Sequence, residues 1–314
     1  MRLAIVIPCY NEQEILPHTL EVLTDLLDKM CADSLVTPDS FILCCNDGST
    51  DATMDIIRAA HARDNRIKGL SLAHNRGTQN VLMAGLMTVL PMADITVTLD
   101  ADLQDAPEAI TEMVRKHRDG GADIVYGVRS SRKTDPWFKR ASARGFYRFQ
   151  NFLGLETVYD HADFRLMDRK ALLLLSEYGE RNLFLRGIIP QLGLNTATVT
   201  YDRAPRRAGL SKYPVSRMLS LSIDGITSFT ARPMRLIFLV GLGLLLIDII
   251  VAIWVLVAHF GGRTISGWSS LMLSVWFLGS LILMGIGIVG EYIGKIFIEV
   301  KQRPRYAVTE ELLD

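Results

Sequence analysis

Little in this chain points to an oxidising compartment, a nucleic-acid surface or a metal held by soft ligands. Its 314 residues carry only four cysteines, Cys9, Cys31, Cys44 and Cys45. None forms a Cys-x-x-Cys pair, and three lie in apolar stretches of the kind that hold reduced core thiols, which favours a cytosolic face over a disulfide framework. The six histidines form no i, i+3 or i, i+4 pair, so no zinc site is suggested. Thirty-four Lys and Arg balance 34 Asp and Glu, for a formal net charge of zero. That excludes a wholesale basic coat, and no nucleic-acid module is visible. A secretory leader is not expected, because Met1-Arg2 leads directly into Leu3–Ile7, too short an apolar run and ended by Pro8. Internal repeats and low-complexity tracts are also missing.

Apolar residues are plentiful, at 49% of the chain, enough for one full core and a further element. Residues 236–258 and 269–290 each supply about 20 largely apolar positions, the requirement for a membrane-spanning helix. Between them lies a short connector with one basic residue, Arg263. Arg217, Arg232 and Arg235 precede the first span, and Lys295, Lys301, Arg303 and Arg305 follow the second. This bias puts both termini on the cytoplasmic side of a two-span hairpin, with residues 295–314 as a cytosolic tail. Residues 211–233, with Val215, Met218, Leu219 and Ile226 at helical intervals, read as an amphipathic helix lying on the bilayer.

Residues 1–210 alternate between two periodicities. Short apolar runs at 2–7, 41–46, 67–73, 94–99 and 123–128 read as strands. Stretches at 12–30, 51–63, 78–90 and 107–118 have helical spacing, with Pro107 placed to open the last of these after Asp105. A helix near 137–153 and a strand near 196–201 follow a polar, Arg-rich region. Such alternation implies an α/β fold with a Rossmann-like, mostly parallel sheet, in which ligands sit at the carboxyl ends of the strands.

Three polar clusters fall at such ends: Pro8-Cys9-Tyr10-Asn11-Glu12, Asn46-Asp47-Gly48-Ser49-Thr50-Asp51, and Asp100-Ala101-Asp102-Leu103-Gln104-Asp105. The second, taken alone, is equally a turn followed by a helix cap at Thr50 or Asp51. The third is harder to explain structurally. Alternate carboxylates at a strand end aim the same way, and like charges that close repel unless a cation or protons lie between them. Hard oxygen ligands suit Mg²⁺ or Mn²⁺, with the remaining positions left to water and phosphate.

In that order, PCYNE, NDGSTD and LDADLQD resemble family 2 glycosyltransferases with the GT-A fold. DFRLMDR (163–169), RNLFLRG (181–187) and GLSKYP (209–214), followed by two spans, are similar to the polyisoprenyl-phosphate branch, of the bactoprenol glucosyltransferase (GtrB-like) and dolichyl-phosphate mannose synthase type. The likeness covers nearly the whole chain. It implies that Pro8, Tyr10, Glu12, Asp47 and Asp100 hold a nucleotide sugar and that Asp100, Asp102 and Gln104 hold a divalent metal. It also implies that Asp163 sits near the sugar and that arginines surround the phosphates.

Arg129 and Arg144 are the candidates for those arginines, since planar guanidinium groups suit phosphate and both lie far from the spans in sequence. Arg206 and Lys212 are equally phosphate ligands or a response to anionic lipid. Asp163 either orients a substrate or pairs with Arg165 or Arg169. The expected reaction is an inverting transfer of one sugar, glucose from UDP-glucose first, to polyprenyl phosphate at the cytosolic face of the plasma membrane. UDP-N-acetylglucosamine, UDP-galactose and GDP-mannose stay open as donors. A processive polysaccharide synthase is disfavoured by the absence of any Arg-Trp pair, and a membrane scaffold leaves the acidic clusters unexplained. A flippase and a downstream transferase would be partners, and Gly290-x-x-x-Gly294 leaves a homo-oligomer open.

Overall fold

The structure is a computed structural model. It describes residues 1–130, 161–181, 183–202 and 267–314, with isolated positions 241, 243, 247 and 250. The chain divides into two compact units, Met1–Phe146 with Glu156–Pro214 and Arg303–Asp314, and Tyr147–Leu155 with Val215–Gln302.

In the first unit, strands β1 (Leu3–Cys9), β2 (Phe41–Asn46), β3 (Ile67–Leu72), β4 (Ile95–Thr98) and β5 (Ile124–Arg129) alternate with helices α1 (Leu16–Ala32), α2 (Thr53–His61), α3 (Thr78–Val89) and α4 (Ala109–Gly120). These match the expected order, and the boundaries differ for local reasons. Helix α1 starts at Leu16 rather than residue 12, because Asn11 takes a left-handed φ of 53° and is bound into a neighbouring turn. Pro107 does not open α4: it lies in a preceding turn whose carbonyl accepts from the Ile110 N–H at 3.0 Å.

Four further elements complete the unit: β6 (His161–Asp168), α5 (Arg169–Ser176), α6 (Leu185–Gln191) and β7 (Thr196–Tyr201), with β8 (Val308–Leu312) arriving from the far end of the chain. The sheet has eight strands in the order β7-β5-β6-β4-β1-β2-β3-β8. Pairs β1/β2, β2/β3, β1/β4 and β5/β7 are parallel, whereas β6 runs antiparallel between β4 and β5, and β8 antiparallel along β3.

Helices cover both faces, as a parallel sheet requires. Leu16, Leu20, Leu23 and Leu27 of α1, Ile57 of α2, and Ile110 and Met113 of α4 pack on Leu3, Ile5, Ile7, Ile42, Val97, Phe164 and Leu166. Each such side chain, fully buried, contributes about 1.5–3 kcal/mol. Helix α3 lies close on the opposite face: a Cβ on Gly85 would fall 2.5 Å from Cys45 Sγ and 2.6 Å from Val6 Cγ1. Cys9, Cys44 and Cys45 are buried free thiols, as expected of core positions.

Two features place the site. Strand β1 is central, with β2 on one side and β4 on the other, so the crossovers diverge there and leave a crevice at the carboxyl ends. Pro8 is tolerated in this central strand because the β1/β4 register ends at Val6↔Thr98, two residues before it.

The residues after the expected second span do not end as a loose tail. Leu312 and Glu310 of β8 pair with Gly69 and Ser71, and Arg58 donates to Glu310 through Nε at 2.8 Å and Nη2 at 2.6 Å.

The second unit contributes helix α7 (Trp268–Lys301), 34 residues and about 51 Å long. Its Phe277–Lys301 stretch has a mean hydropathy of 1.8 and none of it is buried, so among the described residues this helix is long and apolar enough to cross a membrane. The first expected span, the amphipathic helix at 211–233 and the helix at 137–153 lie outside the described residues, apart from positions 241, 243, 247 and 250, which are helical.

Candidate active site

The three polar clusters converge at the carboxyl ends of β1, β2 and β4, and the site is built around them. The turn after β2 is internally bonded. Asn46 Nδ2 donates to Ser71 Oγ at 2.9 Å and its Oδ1 accepts from the Ser49 N–H at 3.1 Å. Asn11 Oδ1 accepts from the Thr50 N–H at 2.9 Å, and the Asn11 N–H donates to Ser49 Oγ at 3.0 Å. The Glu12 N–H donates to Thr53 Oγ1 at 2.9 Å. Asp51, one of the two expected caps, receives the Thr53 N–H at 3.0 Å.

Asp47 is buried, and both its oxygens are occupied by backbone donors, the Arg76 N–H at 2.7 Å and the Gly77 N–H at 2.8 Å. Burial raises its carboxyl above the usual value and these donors oppose the rise. Gly48 has φ +63°, and a Cβ there would sit 2.6 Å from the His74 backbone, so only glycine allows the turn to lie against the 74–77 loop. Pro8 and Glu12 are half-buried and Tyr10 is 39% exposed at this edge.

The loop after β4 is built differently. Strand alternation does not carry past Thr98: residues 101 and 102 form a turn, Leu103 has φ 49°, and Asp102 Oδ1 accepts from the Gln104 N–H at 3.2 Å. A tight turn, rather than an extended strand end, therefore carries both residues, with Asp102 near enough for its charge to raise Asp100. Thr19 of α1 ties the turn down by donating to the Ala101 carbonyl at 2.6 Å. Asp105, which precedes Pro107 as a helix cap would, is instead buried and accepts from Tyr201 OH at 2.6 Å and from Arg129 Nη2 at 2.9 Å. Arg129, expected beside phosphate, is thus held on a carboxylate within the protein.

Antiparallel β6 adds the fourth carboxylate. Because Thr98 pairs with Arg165, the start of β6 lies at the carboxyl end of β4, and Asp163 comes alongside Asp100. Phe164 and Leu166 enter the core on one face, so Asp163 and Arg165 point to the other. Of the two pairings open to Asp163, the one with Arg165 is present, through Arg165 Nη2 and Asp163 Oδ1. Arg186 completes a fork, Nε to Oδ1 at 3.1 Å and Nη2 to Oδ2 at 2.8 Å.

The electrostatic consequence falls on Asp100. Burial first, and then the charges of Asp163, Asp105 and Asp102, push its carboxyl up to about 7, with Arg186 opposing. A carboxylate loaded this way is ready to exchange a proton for a cation. Among the described residues no three His, Cys, Asp or Glu groups converge into a cage for a metal. Mg²⁺ and Mn²⁺ take one or two carboxylates and fill the remaining positions with water and phosphate oxygens. The donor set here, Asp100 and Asp102 with the buried Gln104, is hard oxygen throughout.

Sequence reasoning missed Arg186 and the Asp105–Tyr201 bond, and named the Asp163–Arg165 pair only as one of its alternatives. Arg186 stood in the RNLFLRG segment without a role. Arg144, Arg206 and Lys212 lie outside the described residues.

The comparisons with known proteins agree with this geometry. Residues 4–174 match the family described as glycosyl transferase family 2. An uncharacterised glycosyltransferase of Bacillus subtilis strain 168, YkoT, is 47% identical over 99% of this chain and 92% of its own length. A prophage-derived bactoprenol glucosyl transferase of Shigella flexneri is 36% identical over 98% of this chain and 97% of its own. Among solved structures, mannosyl-3-phosphoglycerate synthase from Rubrobacter xylanophilus shares the fold, with a TM-score of 0.52 and 16% identity over 75% of this chain and 74% of that one. A GT-A-like sheet with its acidic loop at the switch point, matched by full-length relatives, places the chain: it belongs to glycosyl transferase family 2.

Proposed function

We propose that this enzyme transfers a single sugar, glucose from UDP-glucose, to a polyprenyl phosphate at the cytosolic face of the plasma membrane, with inversion at the anomeric carbon. The observation that carries the reading is the acidic loop at the β1/β4 switch point, where Asp100 is pushed up to about 7 among three other carboxylates. The Shigella relative's name, bactoprenol glucosyl transferase, supports the acceptor and the sugar. The apolar helix α7 supports membrane association.

In this reading Pro8, Tyr10, Glu12 and Asp47 line the nucleoside end, and Asp100, Asp102 and Gln104 hold a divalent cation. When bound, Mg²⁺ or Mn²⁺ supplies positive charge beside the diphosphate, favouring its departure. A phosphate monoester with a second pKa near about 6 is already an anion at neutral pH, so its oxygen attacks the anomeric carbon without a strong base. Arg144 holds phosphate oxygens and Arg129, seated on Asp105, adds positive charge beside them, Arg206 and Lys212 meet the lipid phosphate, and Asp163 keeps the sugar end in register. The chain spans the membrane twice with both termini cytosolic, residues 1–210 being the transferase domain, and a flippase carries the product onward.

The test is to incubate membranes containing the protein with undecaprenyl phosphate and each of four radiolabelled donors: UDP-glucose, UDP-N-acetylglucosamine, UDP-galactose and GDP-mannose. Organic-extractable label from UDP-glucose is expected. Label from another donor reassigns the sugar, and no lipid product from any donor overturns the reading. Calorimetry with UDP and Mn²⁺ separates a scaffold, which binds neither, from a transferase.

A further inference from the structure

We propose that Arg186 is a phosphate-binding residue of the transfer site and that Asp163 acts as a positioning residue that aims it. This rests on the transferase reading above and assigns a role within it. Three observations carry the inference, beginning with how firmly Arg186 is mounted. It is the second residue of α6, and the preceding Leu185 N–H donates to Gln79 Oε1 at the start of α3, at 2.8 Å. Leu185, Ile188 and Ile189 are each only 1% exposed, so the helix cannot roll about its axis without uncovering them.

The second observation is the charge order from the interior outward. Side-chain exposure rises from 1% at Arg165 to 10% at Asp163 and 44% at Arg186. Asp163 therefore lies between an inner and an outer guanidinium, with one oxygen taken by both and the other by Arg186. Only the outer member reaches solvent to any extent. A buried ion pair is a poor way to gain stability, since an apolar pair of similar volume does as well. Arg165 makes this sharper, because its Nη1 is buried without a hydrogen-bond partner among the described residues. Such an arrangement is explained if the inner charge keeps Asp163 seated and Asp163 in turn fixes the plane of the outer guanidinium.

The third is what that outer group faces. Arg186 is bonded to Asp163 through two nitrogens, and the β4/β6 register sets Asp163 alongside Asp100, so Arg186 stands at the acidic loop. A nucleotide diphosphate or a lipid phosphate reaching that loop meets carboxylates that repel it, and Arg186 supplies positive charge in a planar fork matched to phosphate oxygens. Both oxygens of Asp163 already accept from guanidinium donors, which argues for positioning rather than proton abstraction.

The experiment compares full-length wild type with Arg186→Gln, Arg186→Lys, Asp163→Asn and the double variant of Gln and Asn, in detergent. UDP with Mn²⁺ is titrated by calorimetry, and the rise in melting temperature is followed against undecaprenyl phosphate. Arg186→Gln is expected to weaken one of these by about 10- to 100-fold, and Arg186→Lys by about 10-fold, because lysine keeps the charge but loses the fork. Asp163→Asn weakens the same constant, and the double variant is no worse than the poorer single, as expected for residues acting as one unit.

A change confined to UDP assigns Arg186 to the donor diphosphate, and one confined to undecaprenyl phosphate assigns it to the acceptor. If wild type binds both ligands and the variants bind them equally well, with only melting temperature altered, the ion pair is structural and the proposal fails. Wild type binding neither ligand would remove the transferase reading itself. If Arg186→Gln does not fold, the Lys variant decides on the same two readouts.

Discussion

The turn after β2 and the loop after β4 lie at the same sheet edge, are each rich in aspartate, and solve opposite problems. In the Asn46–Asp51 turn almost every polar group named above has a donor or acceptor inside the protein, and Asp47 spends both oxygens on backbone N–H groups. In the Asp100–Asp105 loop burial and the charges of Asp163, Asp105 and Asp102 push Asp100 up to about 7, with Arg186 opposing. One turn spends its buried carboxylate on backbone donors, and the other gathers acidic charge around a single buried carboxyl. Two similar-looking acidic motifs therefore differ in their electrostatics: backbone donors oppose the rise at Asp47, whereas neighbouring acidic charges add to it at Asp100.

That contrast is broken most decisively in the loop. Asp102→Asn is expected to cut sugar transfer by about 10³-fold while leaving the melting temperature unchanged or higher, since a repulsive charge is removed. Lipid-product assay and thermal melting measure it, and near-normal transfer would end the metal role of Asp102. In the turn the order reverses, with stability lost first. Gly48→Ala places a Cβ 2.6 Å from the His74 backbone at φ +63°, at a cost of about 2–4 kcal/mol read from the urea midpoint. An unchanged midpoint would mean that the turn is not clamped.

The third test uses pH. Asp100 holds its proton to about 7 in the fold, against 3.8 for an ordinary aspartate. Between those values the folded protein binds a proton that the unfolded chain has released, so metal-free stability falls as pH rises, by about 1–2 kcal/mol once partial exposure is allowed for. A divalent cation must displace that proton, so saturating Mn²⁺ raises the melting temperature more at about pH 8 than at about pH 5.5. Equal rises at the two values would show that Asp100 is not a ligand. The smallest effect belongs to Asp51→Ala, which removes the acceptor of the Thr53 N–H for about 1 kcal/mol with UDP affinity retained. Lost UDP affinity would make that residue part of the site rather than of the scaffold.

Legibility in the sequence followed how local each signal is. The first five strands and four helices show in their periodicity, because each buries one face against a sheet whose residues are near in sequence. Strand β6 was lost because its non-core face carries Asp163 and Arg165, a buried ion pair that reads as loop polarity until both partners are seen together. Strand β8 was lost because VTEEL is charged along an edge, and only β3 gives it a partner. Asp105 shows the same limit, since a residue before Pro107 looks like a cap and its true partners, Arg129 and Tyr201, lie 24 and 96 positions away.

By itself, the order of residues determined the α/β alternation, the acidic clusters at strand ends and a long apolar helix near the carboxyl end, since these depend on side-chain period and composition over short windows. Only the tertiary structure decided which carboxylates share a space, which of them are already neutralised, and that Arg186 stands among them. The reason is that charge interactions fall with distance in space, and an antiparallel strand inserted between β4 and β5 brings Asp163 beside Asp100 although 62 intervening residues separate them in the chain.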